Sequence, residues 1–390
     1  MNGFSRFKPG FRKALAIASV AVLAGCQIVP KTTAPDRPDA PVVSRPAPEP
    51  SATALPSDAT RHRVALLVPL SGANGAVGQS IANATTMALL DTNADNLRIT
   101  TYDTAAGARN AASRAIGDGN ALILGPLLAD NVPSVLAESR AANIPLISFS
   151  NDATVASPDA FVMGHIPEES IAATVKFARS RGSANFAALV PNGAYGQRAE
   201  AALAAALQTH GGTLVTTERY ARGNTSIISA AERIKQRGGY DTVLIAEGAR
   251  LTARAAATFD ANTQLLGTEL LSGESSITRT PAMRGLLFSA VPDQRFKRFA
   301  DSYNSRFGGQ PYRISTLGYD SVLLALRVAR DWRVGDAFPT SALRDEGGFL
   351  GLDGAFRFQR SGVVQRAMEV REVRNGQVVI VGPAPARFED

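Results

Sequence analysis

The sequence predicts an α/β protein of two lobes, each built as a parallel-sheet α/β sandwich. Three observations lead to this fold class. Short β-rich runs alternate with alanine-rich helical stretches from Arg63 onward, a second series of the same kind begins after Pro167, and 45% of the 390 residues are hydrophobic. A strand–helix–strand order implies right-handed crossovers and a parallel sheet covered on both faces. A hydrophobic share of this size can bury a full core, which excludes wholesale disorder and fibrous repeats.

The chain begins with the pattern of a secretory signal peptide. Residues 1–25 carry four basic residues and no acidic residue, and they include an apolar run over 14–23. That run is too short to cross a bilayer as a permanent helix. The junction Leu23-Ala24-Gly25-Cys26 resembles the lipobox of bacterial lipoproteins, in which the cysteine sulfur receives a diacylglycerol. We therefore predict that Cys26 is lipidated and anchors the protein to a membrane; an ordinary signal peptide with a stray cysteine is the alternative.

The charge and the cysteine count exclude several classes of protein. The formal net charge is +7, and it falls to +3 once the four basic residues of the signal peptide are removed. A surplus this small is not the electrostatic footprint of a nucleic-acid-binding protein, so we expect no nucleic-acid partner. Cys26 is the only cysteine, which excludes an intramolecular disulfide and a cysteine-based metal cluster.

A proline-rich segment follows the predicted lipidation site. Residues 27–60 contain eight prolines among Ala, Thr, Ser and isolated charges, a composition typical of an extended tether. At about 3.1 Å per residue in polyproline II geometry, such a tether spans as much as ~100 Å. We expect it to act as a spacer without a binding role. Gln27 after the cysteine, by resemblance to lipoprotein sorting signals, implies the periplasmic face of the outer membrane.

The individual elements follow from hydrophobic periodicity. The first series predicts strands over 64–68, 97–102, 121–124 and 145–149, separated by helices over 79–91, 106–117 and 130–142. The second series predicts helices over 168–181, 194–210, 226–237 and 251–260, and strands over 186–190, 213–220, 242–246 and 264–266. The tail predicts helices over 293–307 and 314–333, then antiparallel strands over 355–358, 364–373 and 378–381, with turns at Ser361-Gly362 and Asn375-Gly376.

The sequence carries no familiar catalytic motif. It has no GxSxG elbow, no HExxH and no GxxxxGK[ST] loop. The three histidines, His62, His165 and His210, are far apart, and we expect each at the surface or at a hinge. The pair Glu168-Glu169 opens a predicted helix, where a solvated first turn is the expected role. We therefore predict a protein that is not an enzyme and that holds neither a cofactor nor a metal.

The loops after the strands are the expected binding regions, since ligands of open α/β lobes bind beyond the carboxyl ends of parallel strands. The glycine-rich segment 69–78 can turn backbone N–H groups toward a polar ligand, and short polar side chains follow the fourth strand. A tight connection or a helix cap is an equally good interpretation of these segments. The predicted residues for a small polar ligand are Ser71, Gly72, Ser148, Ser150, Asn151, Asp152, Tyr195, Glu247 and Glu269.

Several sequence blocks resemble the type I periplasmic-binding-protein family, which includes branched-chain amino-acid receptors. These blocks are Val64-Ala-Leu-Leu-Val-Pro-Leu-Ser-Gly72, Ile123-Leu-Gly-Pro126, Pro145-Leu-Ile-Ser-Phe-Ser-Asn-Asp152, Ala194-Tyr-Gly196 and Leu317-Gly-Tyr-Asp320. The first three, with Gly351-Leu-Asp-Gly-Ala-Phe-Arg-Phe358, also resemble the lipoproteins called penicillin-binding-protein activators. The resemblance covers about residues 63–381. It implies two lobes joined by three hinge crossings, with a ligand cleft at the hinge.

The resemblance also assigns roles to single residues. Tyr195 falls where amino-acid receptors place a cleft tyrosine, and Glu269 falls where they place the acid that holds a ligand ammonium. Ser150 and Asp152 fall near the loop with which those receptors bind the carboxylate and ammonium of the ligand. Two departures oppose amino-acid binding: a serine expected after Gly125 is replaced within 127–130, and an aromatic residue expected after strand 242–246 is replaced by Gly248-Ala249.

We favour a membrane-anchored periplasmic lipoprotein that contacts a penicillin-binding protein and so regulates peptidoglycan synthesis. The alternative is a receptor for an amino acid or a related metabolite that feeds an ABC importer, although importers lie in the inner membrane. Activators of enteric bacteria also carry an amino-terminal helical-repeat domain, and a tether takes its place here. The expected domains are a signal peptide over 1–25, a tether over 26–60 and a binding-protein domain over 61–390, with the first lobe at 61–165 and 290–340 and the second at 166–289 and 341–385.

Overall fold

A computed structural model describes residues 60–223 and 226–388. The predicted signal peptide, the lipidation site Cys26 and the tether up to residue 59 lie outside the described residues. Within the described ranges no helix is long and apolar enough to cross a membrane.

The first lobe is built on a parallel sheet in the order β2-β1-β3-β4-β5. Its strands are β1 (His62–Val68), β2 (Leu97–Asp103), β3 (Leu122–Leu124), β4 (Leu146–Ser148) and β5 (Ala160–Val162). Its connecting helices are α1 (Gly75–Thr92), α2 (Ala108–Gly117) and α3 (Val132–Ala141). The interior strand β1 is buried from Val64 to Val68, since helices cover both faces of a parallel sheet. The prediction of a parallel α/β lobe is confirmed.

The second lobe repeats this plan on a larger sheet. Its parallel strands are β6 (Asn185–Pro191), β7 (Thr213–Tyr220), β8 (Thr242–Ile245), β9 (Gln264–Leu266) and β10 (Leu287–Ala290). Its helices are α4 (Pro167–Ser180), α5 (Ala194–His210), α6 (Ser226–Arg237) and α7 (Ala249–Ala256). Separate hydrophobic clusters fill the two lobes, one on Leu66 and Phe161 and another on Leu189 and Phe288. Each lobe therefore has its own hydrophobic core, and a further cluster lies around Leu67 in the first lobe and around Phe186 in the second.

The tail of the chain returns to both lobes. Helices α8 (Gln294–Phe307) and α9 (Thr316–Val328) pack on α1. A small antiparallel sheet follows, made of β11 (Phe349–Gly351), β12 (Gly354–Phe358) and β13 (Val364–Arg366). The last two strands, β14 (Glu369–Arg374) and β15 (Gln377–Gly382), run antiparallel at the edge of the second sheet, in the order β15-β14-β10-β9-β8-β6-β7.

Two expectations for the tail are corrected. We placed residues from 341 onward in the second lobe, but Phe349, Phe356 and Phe358 belong to the first core, where Phe358 meets Phe161 edge-on at 5.1 Å. The boundary therefore lies near residue 366. The single strand predicted over 364–373 is two strands, because the chain passes from the first sheet to the second at 367–368.

Three segments connect the lobes, as the family resemblance implied. They are 163–166 between β5 and α4, 291–293 between β10 and α8, and 367–368 between β13 and β14. All parallel strands of a lobe point their carboxyl ends in one direction, and the loops that follow them are therefore gathered at one edge of each lobe. This arrangement determines which side chains meet at the cleft between the lobes.

Candidate functional site: the cleft between the lobes

A cavity of about 520 Å³ lies between the two lobes, a volume within the usual range for small-molecule sites. The first lobe lines it from the loops after β1, β3 and β4 and from the turn just before α9. The second lobe lines it from the loop after β9. Its lining residues are Asn74, Val77, Leu127, Leu128, Phe149, Asn151, His165, Glu269, Leu270, Ser272, Glu274, Tyr312, Arg313 and Ile314. Another cavity, of about 420 Å³, lies at Arg63 and Asp118, on the opposite edge of the first sheet.

Glu269 provides the main charged group of the second-lobe wall. Its Oε1 accepts a hydrogen bond from the Tyr195 hydroxyl at 3.1 Å, and that hydroxyl also bonds Thr268 Oγ1 at 2.9 Å. Glu269 Oε2 is shielded from solvent and has no hydrogen-bond partner among the described residues. Burial raises the pKa of Glu269 to about 7, because removal from water disfavours the charged form. Burial, and then the charge of Glu269, also raises the pKa of Tyr195, which keeps the phenol a donor.

Two predicted serines hold the loop after β4 and do not line the cavity. The Ser148 hydroxyl donates to the carbonyl oxygen of Pro126 at 2.9 Å and accepts the backbone N–H of Ser150 at 3.1 Å. The Ser150 hydroxyl accepts the backbone N–H of Asp152 at 3.0 Å. Both serines are buried. Of the residues predicted in this loop, Asn151 alone lines the cavity, so the capping interpretation fits the two serines.

Ser71, Gly72 and Glu247 likewise lie off the cavity wall. Ser71 Oγ faces Asp103 Oδ2 at 3.4 Å, and Gly72 begins a short 3₁₀ helix in the left-handed region, with φ of 69°. The Glu247 carboxylate makes its hydrogen bonds within the second lobe: it accepts from the Tyr220 hydroxyl and from Arg222 Nε, each at 2.7 Å. These three residues therefore support the local structure and do not line the cavity.

Arg198, which sequence reasoning missed, spans the two lobes. Its Nε and Nη2 bind the two carboxylate oxygens of Glu168, each at 2.7 Å, and Nη2 also donates to the carbonyl oxygen of Asn151 at 2.6 Å. Asp152 Oδ1 lies 3.7 Å from its Nη1. Arg198 follows Tyr195 by three residues on α5, so helical spacing alone was a signal that both side chains point to the cleft.

Charged side chains also connect the hinge crossings. His165 Nε2, in the first crossing, bonds Asp353 Oδ2 at 2.7 Å, and Arg313 Nη1 donates to Asp353 Oδ1 at 2.7 Å. Asp293, in the second crossing, accepts Arg371 Nη1 at 2.5 Å and lies 3.6 Å from Arg313 Nε. These contacts tie two of the crossings to β14 and to the first lobe.

Burial and neighbouring charges act in opposite directions on the pKa values of this hinge cluster. Burial lowers the pKa of His165 more than the nearby Asp353 carboxylate raises it. Burial also opposes ionisation of Asp353, but Arg313 and His165 outweigh it and hold the pKa of that carboxyl below its ordinary value. His165 lies at a hinge, one of the two positions that the sequence predicted for each histidine. Its partner Asp353, which lies 188 residues away, was not identified.

Two other expectations about charged residues are corrected. His62 is not at the surface: it is buried and stacks on Trp332 with ring centroids 3.8 Å apart. Glu169 is not a solvated first-turn residue, because its carboxylate accepts the backbone N–H of Arg366 at 3.2 Å and burial raises its pKa to about 8. In the described part of the chain, no group of three or more His, Cys, Asp or Glu side chains is arranged to hold a metal ion.

Solved structures with this architecture include transport proteins and a regulator. A branched-chain amino acid ABC transporter periplasmic ligand-binding protein from Burkholderia xenovorans is 16% identical with a TM-score of 0.68, covering 83% of this chain and 96% of that one. LivJ from Streptococcus pneumoniae, in complex with isoleucine, is 17% identical with a TM-score of 0.62, covering 83% and 100%. The C-domain of LpoA from Haemophilus influenzae, a regulator of PBP1A, is 19% identical with a TM-score of 0.64, covering 82% and 99%. At these identities the likeness shows the fold.

Sequence comparison gives one curated relative and a family. An uncharacterized protein of Rickettsia prowazekii is 26% identical over 174 residues, and the match spans 44% of this chain and 46% of that protein. The chain thus matches about half the length of this relative. The model of the family described as periplasmic binding protein matches residues 62–377, which is most of the chain and nearly all of its described part. This protein belongs to the periplasmic binding protein family.

Proposed function

We propose that the protein is a lipid-anchored periplasmic regulator whose two-lobed domain contacts a peptidoglycan synthase of the penicillin-binding class. The observation that carries this proposal is the set of polar contacts that join the lobes. Arg198 contacts both lobes across the cleft, and the ion pairs of Asp353 and Asp293 connect the hinge crossings to the surrounding structure. A receptor that clamps a solute must bend at such crossings. Lobes held together by charged contacts instead present one continuous surface to a partner.

Two further observations support the proposal. The lipobox at Cys26 and the proline-rich segment 27–60 suit a domain held at a distance from its membrane. This fold aligns with 99% of the LpoA C-domain, which belongs to a regulator of PBP1A. We assign the anchor to the periplasmic face of the outer membrane because Gln27 follows the cysteine.

Binding and stimulation of a synthase test the proposal directly. The mature chain, starting at Cys26, is mixed with a purified bifunctional penicillin-binding protein, and both co-precipitation and glycan polymerisation are measured. We expect binding in the micromolar range or tighter and a faster polymerisation rate. No binding at micromolar concentrations, with a folded protein, contradicts the proposal. The Cys26→Ser variant is the matched control for anchoring. We expect it to be absent from the membrane fraction of cells and to retain synthase binding in solution.

A solute receptor is the second candidate, and one observation favours it. Glu269 Oε2 lies at the cleft without a hydrogen-bond partner among the described residues, and buried polar atoms in native proteins normally have one. A ligand cation at this oxygen would provide it. Calorimetry against an amino-acid and peptide library tests this function, and binding of an amino acid with no binding to a synthase would reverse the order of the two candidates.

A further inference from the structure

The segment that follows β15 passes from the second lobe back to the first. Strand β15 ends at Gly382, which pairs with Val370 of β14 in the second sheet. Pro383 comes next, and because a proline has no N–H to donate to a strand ladder, the pairing stops there. Residues 383–386 then line a cavity of about 330 Å³ together with residues of β11 and β12 in the first lobe. The segment is therefore a fourth connection between the lobes, beside the three hinge crossings.

Phe388 makes the contact of this segment with the first lobe. Its ring lies against the guanidinium of Arg357 on β12, with 4.7 Å between Cζ and the ring centroid, a distance at which the positive charge attracts the ring face. Arg357 Nε donates to Gln365 Oε1 at 2.9 Å, and its Nη1 donates to the carbonyl oxygen of Glu346 at 3.1 Å. The ring of Phe388 therefore rests on a group that is held within the first lobe, whereas Gly382 belongs to the second sheet.

The contact lies away from the hinge crossings. Strand β12 begins at Gly354, beside the second crossing, since a Cβ added at Gly354 would lie 3.1 Å from the ring of Pro292. Arg357 is further along the same strand, and three residues at about 3.3 Å each place it roughly 10 Å from that crossing. A contact at this distance from a hinge axis opposes rotation of the lobes about that axis, which short crossings by themselves permit.

The sequence of the segment suits a restraint. Pro383 and Pro385 each fix their own φ near about −65°, so this part of the chain is stiffer than a glycine- or serine-rich connection. A stiff segment loses less conformational entropy than a flexible one when its far end is held in place. The two prolines therefore favour the contact that Phe388 makes with Arg357.

We propose that residues 383–388 form a strap that restrains the movement of the two lobes, and that the ring of Phe388 on Arg357 holds the strap to the first lobe. Loss of this contact allows the lobes to separate further or to vary more in their separation. The inference goes beyond the proposed function, since it concerns the movement of the lobes and requires no contact with a synthase.

Distances between spin labels in the two lobes test the inference. The labels are placed at Ala105→Cys and Ala201→Cys in the mature chain with Cys26→Ser, and a chain that stops at Gly382 is compared with the full chain. We expect the shorter chain to give a longer or broader distance distribution. Among the described residues, the hydrophobic clusters of the two lobes include none from the strap, so the shorter chain should keep a cooperative urea transition. Identical distributions for the two folded chains overturn the inference.

Variants of Phe388 test how the strap is held. Phe388→Ala removes the ring and is expected to shift the distance distribution in the same direction as the truncation. Phe388→Tyr keeps the ring and should match the full chain. Arg387→Ala changes the exposed neighbouring position, and as the control it should also match the full chain. No shift in Phe388→Ala, or an equal shift in Arg387→Ala, refutes the assignment of Phe388 as the point of attachment.

Hydrogen exchange separates movement of the lobes from a general loss of stability. The backbone N–H of Arg366, in the first lobe, donates to the carboxylate of Glu169, in the second lobe, at 3.2 Å. This amide should exchange at least about twofold faster in the chain without the strap, a change on the scale of one exposed cation–π contact. The amides of residues 64–68, inside the first sheet, should keep their rates. Equal changes at both places contradict a restraint that acts between the lobes.

The inference and the proposed function fail separately. A protein that stimulates a synthase but whose lobes are unaffected by loss of the strap refutes the inference alone. A protein whose lobes move apart without the strap, but that neither contacts nor stimulates a synthase, refutes the proposed function alone.

Discussion

The guanidinium of Arg198, in the second lobe, donates a 2.6 Å hydrogen bond to the main-chain carbonyl oxygen of Asn151, in the first lobe. Glu168 fixes the same guanidinium by a two-point ion pair, and the Arg198 side chain is 14% exposed. Charge-assisted hydrogen bonds of this kind are among the stronger polar contacts in proteins. Arg198 therefore links the two lobes across the cleft.

Replacing Arg198 by alanine is expected to loosen the cleft. The variant loses the bond to Asn151 and leaves Glu168 without its partner, which costs about 2 kcal/mol of unfolding free energy. Distances between spin labels at Ala105→Cys and Ala201→Cys, in a Cys26→Ser background, report the separation of the lobes. We expect a longer or broader distribution for Arg198→Ala. Arg219→Ala removes a pair with Glu200 within the second lobe and serves as the control; identical distributions for both variants would contradict a bridging role.

Glu269→Gln is expected to change how stability depends on pH. The pKa of Glu269 is about 7 in the folded protein against an ordinary value of 4.5, so the folded state holds the proton more tightly and wild-type stability falls as pH rises through this interval. Glutamine mimics the neutral acid and lacks this slope. Relative to wild type, the variant should therefore gain stability from pH 4.5 to pH 8, by about 3 kcal/mol at most.

Urea unfolding at pH 4.5, 6 and 8 measures this difference. Glu169, whose pKa burial raises to about 8, is present in both proteins, so its contribution cancels in the comparison. Glu200→Gln is the control and should track wild type at every pH. A constant difference between Glu269→Gln and wild type across the three pH values would show that Glu269 does not titrate as described.

Asp353→Asn is expected to destabilise the hinge strongly. Asp353 is fully buried and accepts from His165 at 2.7 Å, Arg313 at 2.7 Å and Thr316 Oγ1 at 2.8 Å. Removing its charge leaves Arg313 without its main partner, and breaking a buried pair in this way costs about 3–5 kcal/mol. Chemical unfolding should show this loss, whereas Asp260→Asn, which breaks the exposed pair with Lys235, should cost less than about 1 kcal/mol. Equal losses would mean that the hinge cluster contributes no more than a surface pair.

Gly78→Ala is expected to disturb the first-lobe side of the cavity. A Cβ at this position of α1 would overlap the backbone carbonyl of Pro69, and neither backbone segment can yield at low cost. We expect a loss of about 2 kcal/mol or more. Gly117→Ala is the matched helical control, since a Cβ added there would meet nothing within 4 Å and alanine favours a helix by up to about 1 kcal/mol. Similar unfolding free energies for the two variants would refute the close packing of α1 on the β1 loop.

Most elements of the fold were predictable because their signals are local. The buried run 64–68 and the helical spacing after residue 79 each need only neighbouring residues, and the structure has β1 and α1 there. The strand predicted over 364–373 shows the limit of this reasoning. Residues 364–373 fit a β-strand pattern throughout. The break at 367–368 arises because the two halves pair with different sheets, and no local pattern encodes that pairing.

The candidate site was predictable at the level of loops and less so at the level of atoms. The loops after β4 and β9 do reach the cavity, through Asn151 and Glu269. The hydroxyls of Ser148 and Ser150 in the same segment do not, because they satisfy backbone groups of their own loop. Short polar side chains serve ligand binding and local capping with the same chemistry, and the composition of a loop cannot separate the two roles.

The sequence by itself determined the α/β class, the alternation of strands and helices, and the residues available at the strand ends, because periodicity and turn chemistry act over a few residues. The tertiary structure alone decided which distant charges meet. Arg198 reaches Asn151 across 47 residues, and His165 reaches Asp353 across 188. It also decided that Glu269 keeps one carboxylate oxygen without a partner among the described residues. Charge pairing and burial depend on packing between segments far apart in the chain, and these two properties give the cleft its chemistry.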